Sequence, residues 1–149
     1  NERVTNQHNI SGEANENRLV WTQNMARVPE GLDRKAGTET VYFVGCVGAM
    51  YPRVYGVPQS FVQIMERAGE NVTTLGGDEW FCGFPLQIAG MGKHAQALAL
   101  HNVETVRSTG ARRLVTTCPS CHYTWSHLYP LYDSSPLPYA MLFYRISHI

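Results

Sequence analysis

Three short apolar stretches alternate with two amphipathic stretches between residues 41 and 117. The apolar stretches, 41–47, 72–75 and 113–117, are rich in β-branched and aromatic residues, which is typical of buried strands. The stretches between them carry apolar residues at helical spacing, from about Pro58 to Gly69 and from about Met91 to Ser108. This order predicts an α/β fold with a parallel βαβ-type sheet and flanking helices.

Each predicted helix has one apolar face that we expect to lie in the core. That face consists of Phe61, Ile64, Met65 and Ala68 on the first helix, and of Ala95, Leu98, Ala99, Asn102, Val103 and Val106 on the second. Gly69 and Gly110 follow the two helices, as glycine commonly does at helix ends. His94 and His101 of the second helix are predicted to be solvated.

The composition divides the chain into three parts. Residues 1–38 are rich in Asn, Glu, Gly and Arg and are predicted to form a linker or arm, in which Leu19, Val20 and Trp21 are candidates for docking. Residues 39–130 form the predicted domain. Residues 131–149 form a C-terminal tail, and its apolar end from Tyr139 is predicted to be either one more strand or an exposed interaction segment.

Length and charge narrow the class of protein. With 149 residues, 44% of them apolar, the chain has the size and composition of a globular domain with one core. Lys and Arg (12) balance Asp and Glu (12), so the composition does not indicate a nucleic-acid surface. The chain has no apolar run of the ~20 residues that span a bilayer. We therefore expect a cytoplasmic protein that meets a membrane only through a partner.

The four cysteines form one spaced pattern, with Cys46, Cys82 and the pair Cys118 and Cys121. The first predicted strand delivers Cys46 at its carboxyl end into a glycine-rich loop, and Cys118 directly follows the third predicted strand. The carboxyl ends of strands are where open α/β sheets build their sites. A C-x-x-C pair directs two sulfurs to one metal, and two thiols from other loops complete four-coordination. We predict a shared metal site; the alternative is four buried small apolar residues.

Local features around the C-x-x-C pair favour thiolate ligation. Cys118 is predicted at the start of a helix, where free backbone N–H groups stabilise a thiolate and Pro119 suits the first turn. His122 and His127 follow as alternate ligands or, the simpler interpretation, as surface histidines. Four aromatic residues near the cysteines are candidates for shielding a site from water, or for plain core packing: Phe43, Trp80, Phe81 and Phe84.

Three motifs surround the cysteines: Tyr42-Phe-Val-Gly-Cys46, Trp80-Phe-Cys-Gly-Phe-Pro85 and Thr117-Cys-Pro-Ser-Cys-His122. Together they resemble the CCG cysteine-rich domain of heterodisulfide reductase subunits B and D, the glycolate oxidase iron-sulfur subunit, lactate-utilisation iron-sulfur proteins and anaerobic glycerol-3-phosphate dehydrogenase. The resemblance covers about residues 17–130. It implies that Cys46, Cys82, Cys118 and Cys121 bind an iron-sulfur cluster or, as in some copies, zinc.

The chain departs from the family pattern at Phe81, which stands where the family has the first of two tandem cysteines. Non-cubane clusters that cleave heterodisulfides use all five cysteines, whereas four thiolates suffice for a cubane [4Fe-4S] cluster or for tetrahedral zinc.

The resemblance therefore implies an electron-transfer subunit or domain of an anaerobic-type oxidoreductase complex, heterodisulfide reductase-like or 2-hydroxyacid oxidase-like. Its partners would be a flavoprotein or a ferredoxin-like iron-sulfur protein, because family members usually hold two such motifs and this chain holds one. One alternative is a zinc-binding four-cysteine structural or docking domain without redox activity. Another is a metal-free scaffold, if Phe81 abolishes the site. The sequence offers no nucleophile-base constellation, which argues against a hydrolase.

Overall fold

The computed structural model describes residues 2–134 and 139–142 and is built around a parallel sheet of four strands. These are β1 (Thr40–Phe43), β2 (Val72–Thr73), β3 (Arg113–Thr116) and β4 (Tyr139–Leu142), in the order β2-β1-β3-β4. Each neighbouring pair is parallel, and β1 and β3 are paired over their full length. The predicted α/β fold is confirmed, and the carboxyl ends of β1 and β3 lie side by side.

Helices and helical turns connect and cover the strands. The α-helices are α1 (Glu2–Gln7), α2 (Gly45–Met50), α3 (Gly56–Arg67), α4 (Phe84–Ile88), α5 (Gly92–Ser108), α6 (Pro119–Tyr123) and α7 (Tyr129–Tyr132). Three 3₁₀ segments cover Asn15–Thr22, Pro52–Val54 and Gly76–Asp78, and a π-helical turn at Thr124–Leu128 joins α6 to α7. Among the described residues, no helix combines the length and apolarity needed to cross a bilayer.

Strand β1, in the middle of the sheet, is buried on both faces, as expected of parallel strands covered by helices. Because side chains alternate along a strand, Val41 and Phe43 of β1 point to one face and Tyr42 points to the other. The first face packs against α5 and the α6–α7 segment and includes Cys46, Cys82 and Cys121. The second packs against α2, α3 and the 3₁₀ segment 15–22. The cysteines therefore belong to one of two distinct cores.

The structure confirms the predicted apolar face of α5 but only part of that of α3. All six residues predicted on the inner face of α5 are buried, which confirms that face. On α3, Phe61 is buried and Met65 is partly buried, but Ile64 and Ala68 are exposed, so those two assignments were wrong. The helix instead buries Pro58, Phe61 and Val62, and the Phe61 ring packs against Tyr42 with ring centroids 4.2 Å apart.

The connection after β1 is tighter than predicted. Gly45 has a positive φ of 77° and turns the chain directly into α2. Cys46 consequently lies in the first turn of a helix, where the sequence predicted a glycine-rich loop. A left-handed backbone at Gly45 ends β1 at Phe43, which is why the strand stops before the apolar run does.

Part of the predicted N-terminal arm packs into the second core. Trp21 is fully buried with Tyr42 and Phe61 in the same cluster, and its carbonyl oxygen accepts a hydrogen bond from Gln59 Nε2 at 2.7 Å. In the C-terminal tail, residues 139–142 form a strand, and residues 143–149 lie outside the described part of the chain. The division of the chain into arm, domain and tail stays a prediction.

Replacing Trp21 tests whether residues 15–22 fold with the sheet. We expect Trp21→Ala to lower the free energy of unfolding by about 3–5 kcal/mol, because it removes a large, fully buried side chain. Urea denaturation measures the loss. Val28→Ala, at an exposed position of the same arm, is the control and should stay within about 0.5 kcal/mol of wild type. Equal effects of the two substitutions would mean that the segment is not part of the core.

Candidate metal centre

The four cysteines meet at the carboxyl edge of the sheet, on three separate segments. Cys46 lies in α2 directly after β1, and Cys118 lies between β3 and α6. Cys121 follows in α6, and Cys82 lies in the connection that precedes α4. The thiol of Cys121 is hydrogen-bonded to both Cys118 and Cys82. The structure thus brings together the residues that the sequence selected; their role as ligands stays a prediction.

Gly45 allows the segment that carries Cys46 to approach the segment that carries Cys118 and Cys121. A Cβ atom at this position would lie 3.1 Å from Cys121 Sγ and 3.9 Å from Cys118 Cβ. It would also occupy a left-handed backbone conformation that L-residues other than glycine rarely adopt. The backbone before Cys46 therefore touches the C-x-x-C pair, and glycine is the residue that permits the contact.

The three contacting thiols differ in acidity. Cys121 donates a hydrogen bond that lowers the pKa of Cys118 to about 6, and the N–H groups of Cys121 and Ser120 at the start of α6 add to the effect. Pro119 is the first residue of α6, as predicted. The pKa of Cys82 is also lowered, and here too the hydrogen bond with Cys121 has the largest effect. The pKa of Cys121 is raised well above its usual value, because these hydrogen bonds to Cys118 and Cys82 hold its proton.

A buried ion pair supports the backbone in front of Cys46. Glu79 accepts hydrogen bonds from the backbone N–H groups of Val44, at 2.9 Å, and Gly45, at 2.8 Å. Its carboxylate also contacts Arg18 Nη1 at 2.7 Å, and both side chains are 2% exposed. Burial raises the pKa of Glu79, while Arg18 and the two N–H groups favour the ionised form. Sequence analysis missed this pair; the available signal was Glu79 itself, the second of two adjacent acidic residues, three positions before Cys82.

A second polar network holds the segment that carries Cys82. Asn102 of α5 accepts a hydrogen bond from the Trp80 N–H at 2.9 Å and donates one to the Phe81 carbonyl oxygen at 3.3 Å. It also donates to the Tyr129 hydroxyl at 3.0 Å, which in turn donates to the Cys82 carbonyl oxygen at 3.1 Å. Asn102 is fully buried on the predicted apolar face of α5. Its side chain supplies the hydrogen bonds that the backbone around Cys82 would otherwise lack, because that backbone belongs to no helix or strand.

The aromatic residues near the cysteines divide into buried and partly exposed pairs. Phe43 and Phe81 are buried in the same core cluster as the cysteines, whereas Trp80 and Phe84 are partly buried. Phe43 packs edge-on against Trp125, with ring centroids 5.5 Å apart. Their position is compatible with keeping water from the cysteines, and shielding of a bound group stays a prediction.

The histidines have roles outside the cysteine cluster. His94 is exposed, as predicted, whereas His101 is partly buried and stacks on Trp80 with ring centroids 3.5 Å apart, so it is only partly solvated. His122 Nε2 lies 3.4 Å from Ser126 Oγ. His127 is exposed and stacks on Tyr123 with ring centroids 4.7 Å apart. These contacts favour the simpler interpretation of His122 and His127.

The donor set fits a thiolate-bound group in kind and number. Four sulfur atoms reach one edge of the sheet, and thiolates are the ligands of iron-sulfur clusters and of structural zinc. In residues 2–134 and 139–142, however, no three Cys, His, Asp or Glu side chains stand in an arrangement that already encloses a metal ion. The thiols hydrogen-bond to one another instead, and metal binding has to remove the protons that make these bonds.

The fold and the cysteines together define an α/β domain with a four-thiol centre, and comparison with known proteins identifies its family. The profile of the CCG cysteine-rich domain matches residues 40–125, which include all four cysteines. The chain therefore belongs to the CCG cysteine-rich domain family.

Several curated proteins are similar over most of the chain. A subunit of the dihydromethanophenazine:CoB–CoM heterodisulfide reductase of Methanosarcina acetivorans is 28% identical over 128 residues, which are 84% of this chain and 29% of that protein. The Methanosarcina barkeri protein of the same name is 26% identical over 138 residues, 91% of this chain and 32% of that protein.

An EtfAB:quinone oxidoreductase of Syntrophomonas wolfei is 25% identical over 92 residues, 62% of this chain and 13% of that protein. The chain thus spans less than a third of the length of each of these three relatives. No solved structure matches it significantly.

Replacing Gly45 tests the close approach to Cys121. We expect Gly45→Ala to lower the free energy of unfolding by at least about 1–2 kcal/mol, the cost of a left-handed non-glycine residue, because the new methyl group also meets the sulfur. The matched control is Gly56→Ala in α3, where a Cβ would meet nothing within 4 Å and where alanine suits the helix. Equally small effects on urea denaturation would contradict the described geometry.

The acidity of Cys118 predicts selective alkylation. In metal-free, reduced protein, iodoacetamide should modify Cys118 first, with a half-maximal rate at about pH 6, because the thiolate is the nucleophile and the other three cysteines are buried. Peptide mass spectrometry after timed quenching locates the label, and Cys118→Ser should remove the fast phase. A midpoint near the value of free cysteine, about pH 8.5, would contradict the prediction.

Proposed function

We propose that this chain is an iron-sulfur-cluster-binding electron-transfer domain of an oxidoreductase complex. One observation carries the proposal: all four cysteines of a CCG-family chain converge on one sheet edge, and Cys121 links two of the others directly. The names of the relatives, a heterodisulfide reductase subunit and a quinone oxidoreductase, support a redox complex as the setting.

The cluster ligands in this proposal are Cys46, Cys82, Cys118 and Cys121. A cluster bound there supplies one-electron chemistry, and a cubane [4Fe-4S] cluster needs no more than these four thiolates. The chain would provide the thiolates, of which Cys118 and Cys82 are the more acidic. It would also provide a low-dielectric wall on one side, formed by buried residues such as Phe43 and Trp125.

Phe81 separates this chain from direct heterodisulfide cleavage. Its side chain is 2% exposed and packs in the core, and its N–H donates to the His8 carbonyl oxygen at 2.7 Å. A phenylalanine at the first position of the tandem pair offers no fifth thiolate. We therefore propose electron transfer through a four-thiolate cluster, with the substrate reaction located elsewhere in the complex.

The partners in this proposal are further redox subunits or domains, a flavoprotein or a ferredoxin-like iron-sulfur protein. The chain spans less than a third of the length of each of these relatives, whose names describe redox enzymes. We place the complex in the cytoplasm, with any contact to a membrane made through a partner.

Metal and acid-labile sulfide analysis of protein purified without oxygen tests the proposal. We expect iron and sulfide in equal amounts with broad visible absorption from thiolate-bound iron, and loss of both in Cys82→Ser. Val103→Ala is the matched control, because it weakens the same core without removing a thiol and should keep its iron. Stoichiometric zinc without colour would support a structural zinc site instead, and iron retained in Cys82→Ser would contradict the assigned ligands.

A further inference from the structure

Arg18 is a fully buried cation beside the candidate metal centre. Its Nε donates to Asn15 Oδ1 at 2.9 Å, and its Nη1 contacts Glu79 Oε1 at 2.7 Å. Its Nη2 is buried and has no hydrogen-bond partner in the described part of the chain. Desolvating an Arg–Glu pair costs free energy that the attraction between the charges often does not recover. A contribution to folding stability is therefore a poor explanation for this buried pair.

The pair is connected to Cys46 through the backbone. Glu79 binds the N–H groups of Val44 and Gly45, the two residues that precede Cys46. The carboxylate thus links the guanidinium to the peptide that carries the thiol, and the link is rigid because each donor and acceptor is buried. A charge held in this way cannot turn toward solvent when the charge of the site changes.

The two charges act on the Cys46 thiol in opposite directions. Glu79 lies against the two N–H groups that directly precede Cys46, at 2.9 Å and 2.8 Å, and Arg18 Nη1 lies 2.7 Å from Glu79 Oε1. A buried cation favours additional negative charge nearby, and a buried anion disfavours it, with little screening by solvent or salt. One-electron reduction of a cluster adds one negative charge at this place.

We propose that Arg18 and Glu79 are positioning residues that also set the reduction potential of the cluster bound at Cys46, Arg18 raising it and Glu79 lowering it. This inference rests on the proposed function, since it requires a cluster. It goes further by assigning an electronic role to two side chains that are not ligands, one of which comes from the N-terminal segment.

A redox titration with dithionite, mediators and electron paramagnetic resonance tests the inference on the full chain purified without oxygen. In Arg18→Gln, the ratio of oxidised to reduced cluster at the wild-type midpoint should rise about tenfold, equivalent to a decrease of about 59 mV for a one-electron couple. Glu79→Gln should shift the ratio in the opposite direction. The double substitution should lie between the two and near wild type, because it removes both charges.

Two further variants separate charge from structure. Arg18→Lys keeps the positive charge but not the contact geometry of the guanidinium, and it should hold the wild-type potential within about threefold in that ratio. Arg34→Gln removes an exposed arginine that pairs with Asp33 and should leave the potential unchanged. If Arg18→Gln or Glu79→Gln does not fold, Arg18→Lys and the double variant still test the inference. A tenfold shift of the ratio of oxidised to reduced cluster in either of these two variants overturns it.

The outcomes distinguish this inference from the proposed function. Wild-type protein without iron and sulfide would contradict the proposed function itself. Wild-type protein with a normal cluster whose potential is unchanged in Arg18→Gln and Glu79→Gln, or shifts in the same direction in both, would overturn only the assignment of an electronic role to the pair.

Discussion

The carboxylate of Glu79 is the point on which the candidate metal centre depends. It joins three stretches that are distant in sequence: Arg18 in the N-terminal segment, the turn at Val44 and Gly45, and its own segment, which continues to Cys82. Removing the carboxylate would leave a buried guanidinium and two buried N–H groups without their acceptor, a loss that typically costs several kcal/mol. Placement of two of the four cysteines therefore rests on one side chain.

Close packing and uncharged hydrogen bonds add to this placement. Gly45 lets the backbone before Cys46 approach Cys121, and α5 presents Asn102 to the segment that carries Cys82. Tyr129 completes that connection by donating to the Cys82 carbonyl oxygen. Because these contacts come from both β1 and the helices that cover the sheet, the thiols are fixed relative to the core, and a bound group would inherit that rigidity.

The sequence predicted what depends on local pattern and missed what depends on long-range pairing. The run around Val41 predicted a buried parallel strand because such strands are covered on both faces, and the cysteine spacing predicted a common site. Arg18 and Glu79 are 61 residues apart, and no periodic pattern in the sequence predicts that an arginine in a polar segment will be buried. The exposure of Ile64 was missed for a related reason: an apolar stripe does not show how much of it a neighbour covers.

The fold brings the four thiols together, but it favours the deprotonated form in only two of them. Cys118 and Cys82 have lowered pKa values because both share the single proton of the Cys121 thiol through hydrogen bonds, and for that same reason Cys121 keeps its proton, while burial keeps the proton on Cys46. Cluster binding has to displace these two protons, so its affinity includes their release. A bound metal would replace the hydrogen bonds of Cys121 to Cys118 and Cys82 with thiolate bonds, and in the described residues no three Cys, His, Asp or Glu side chains already enclose a metal ion.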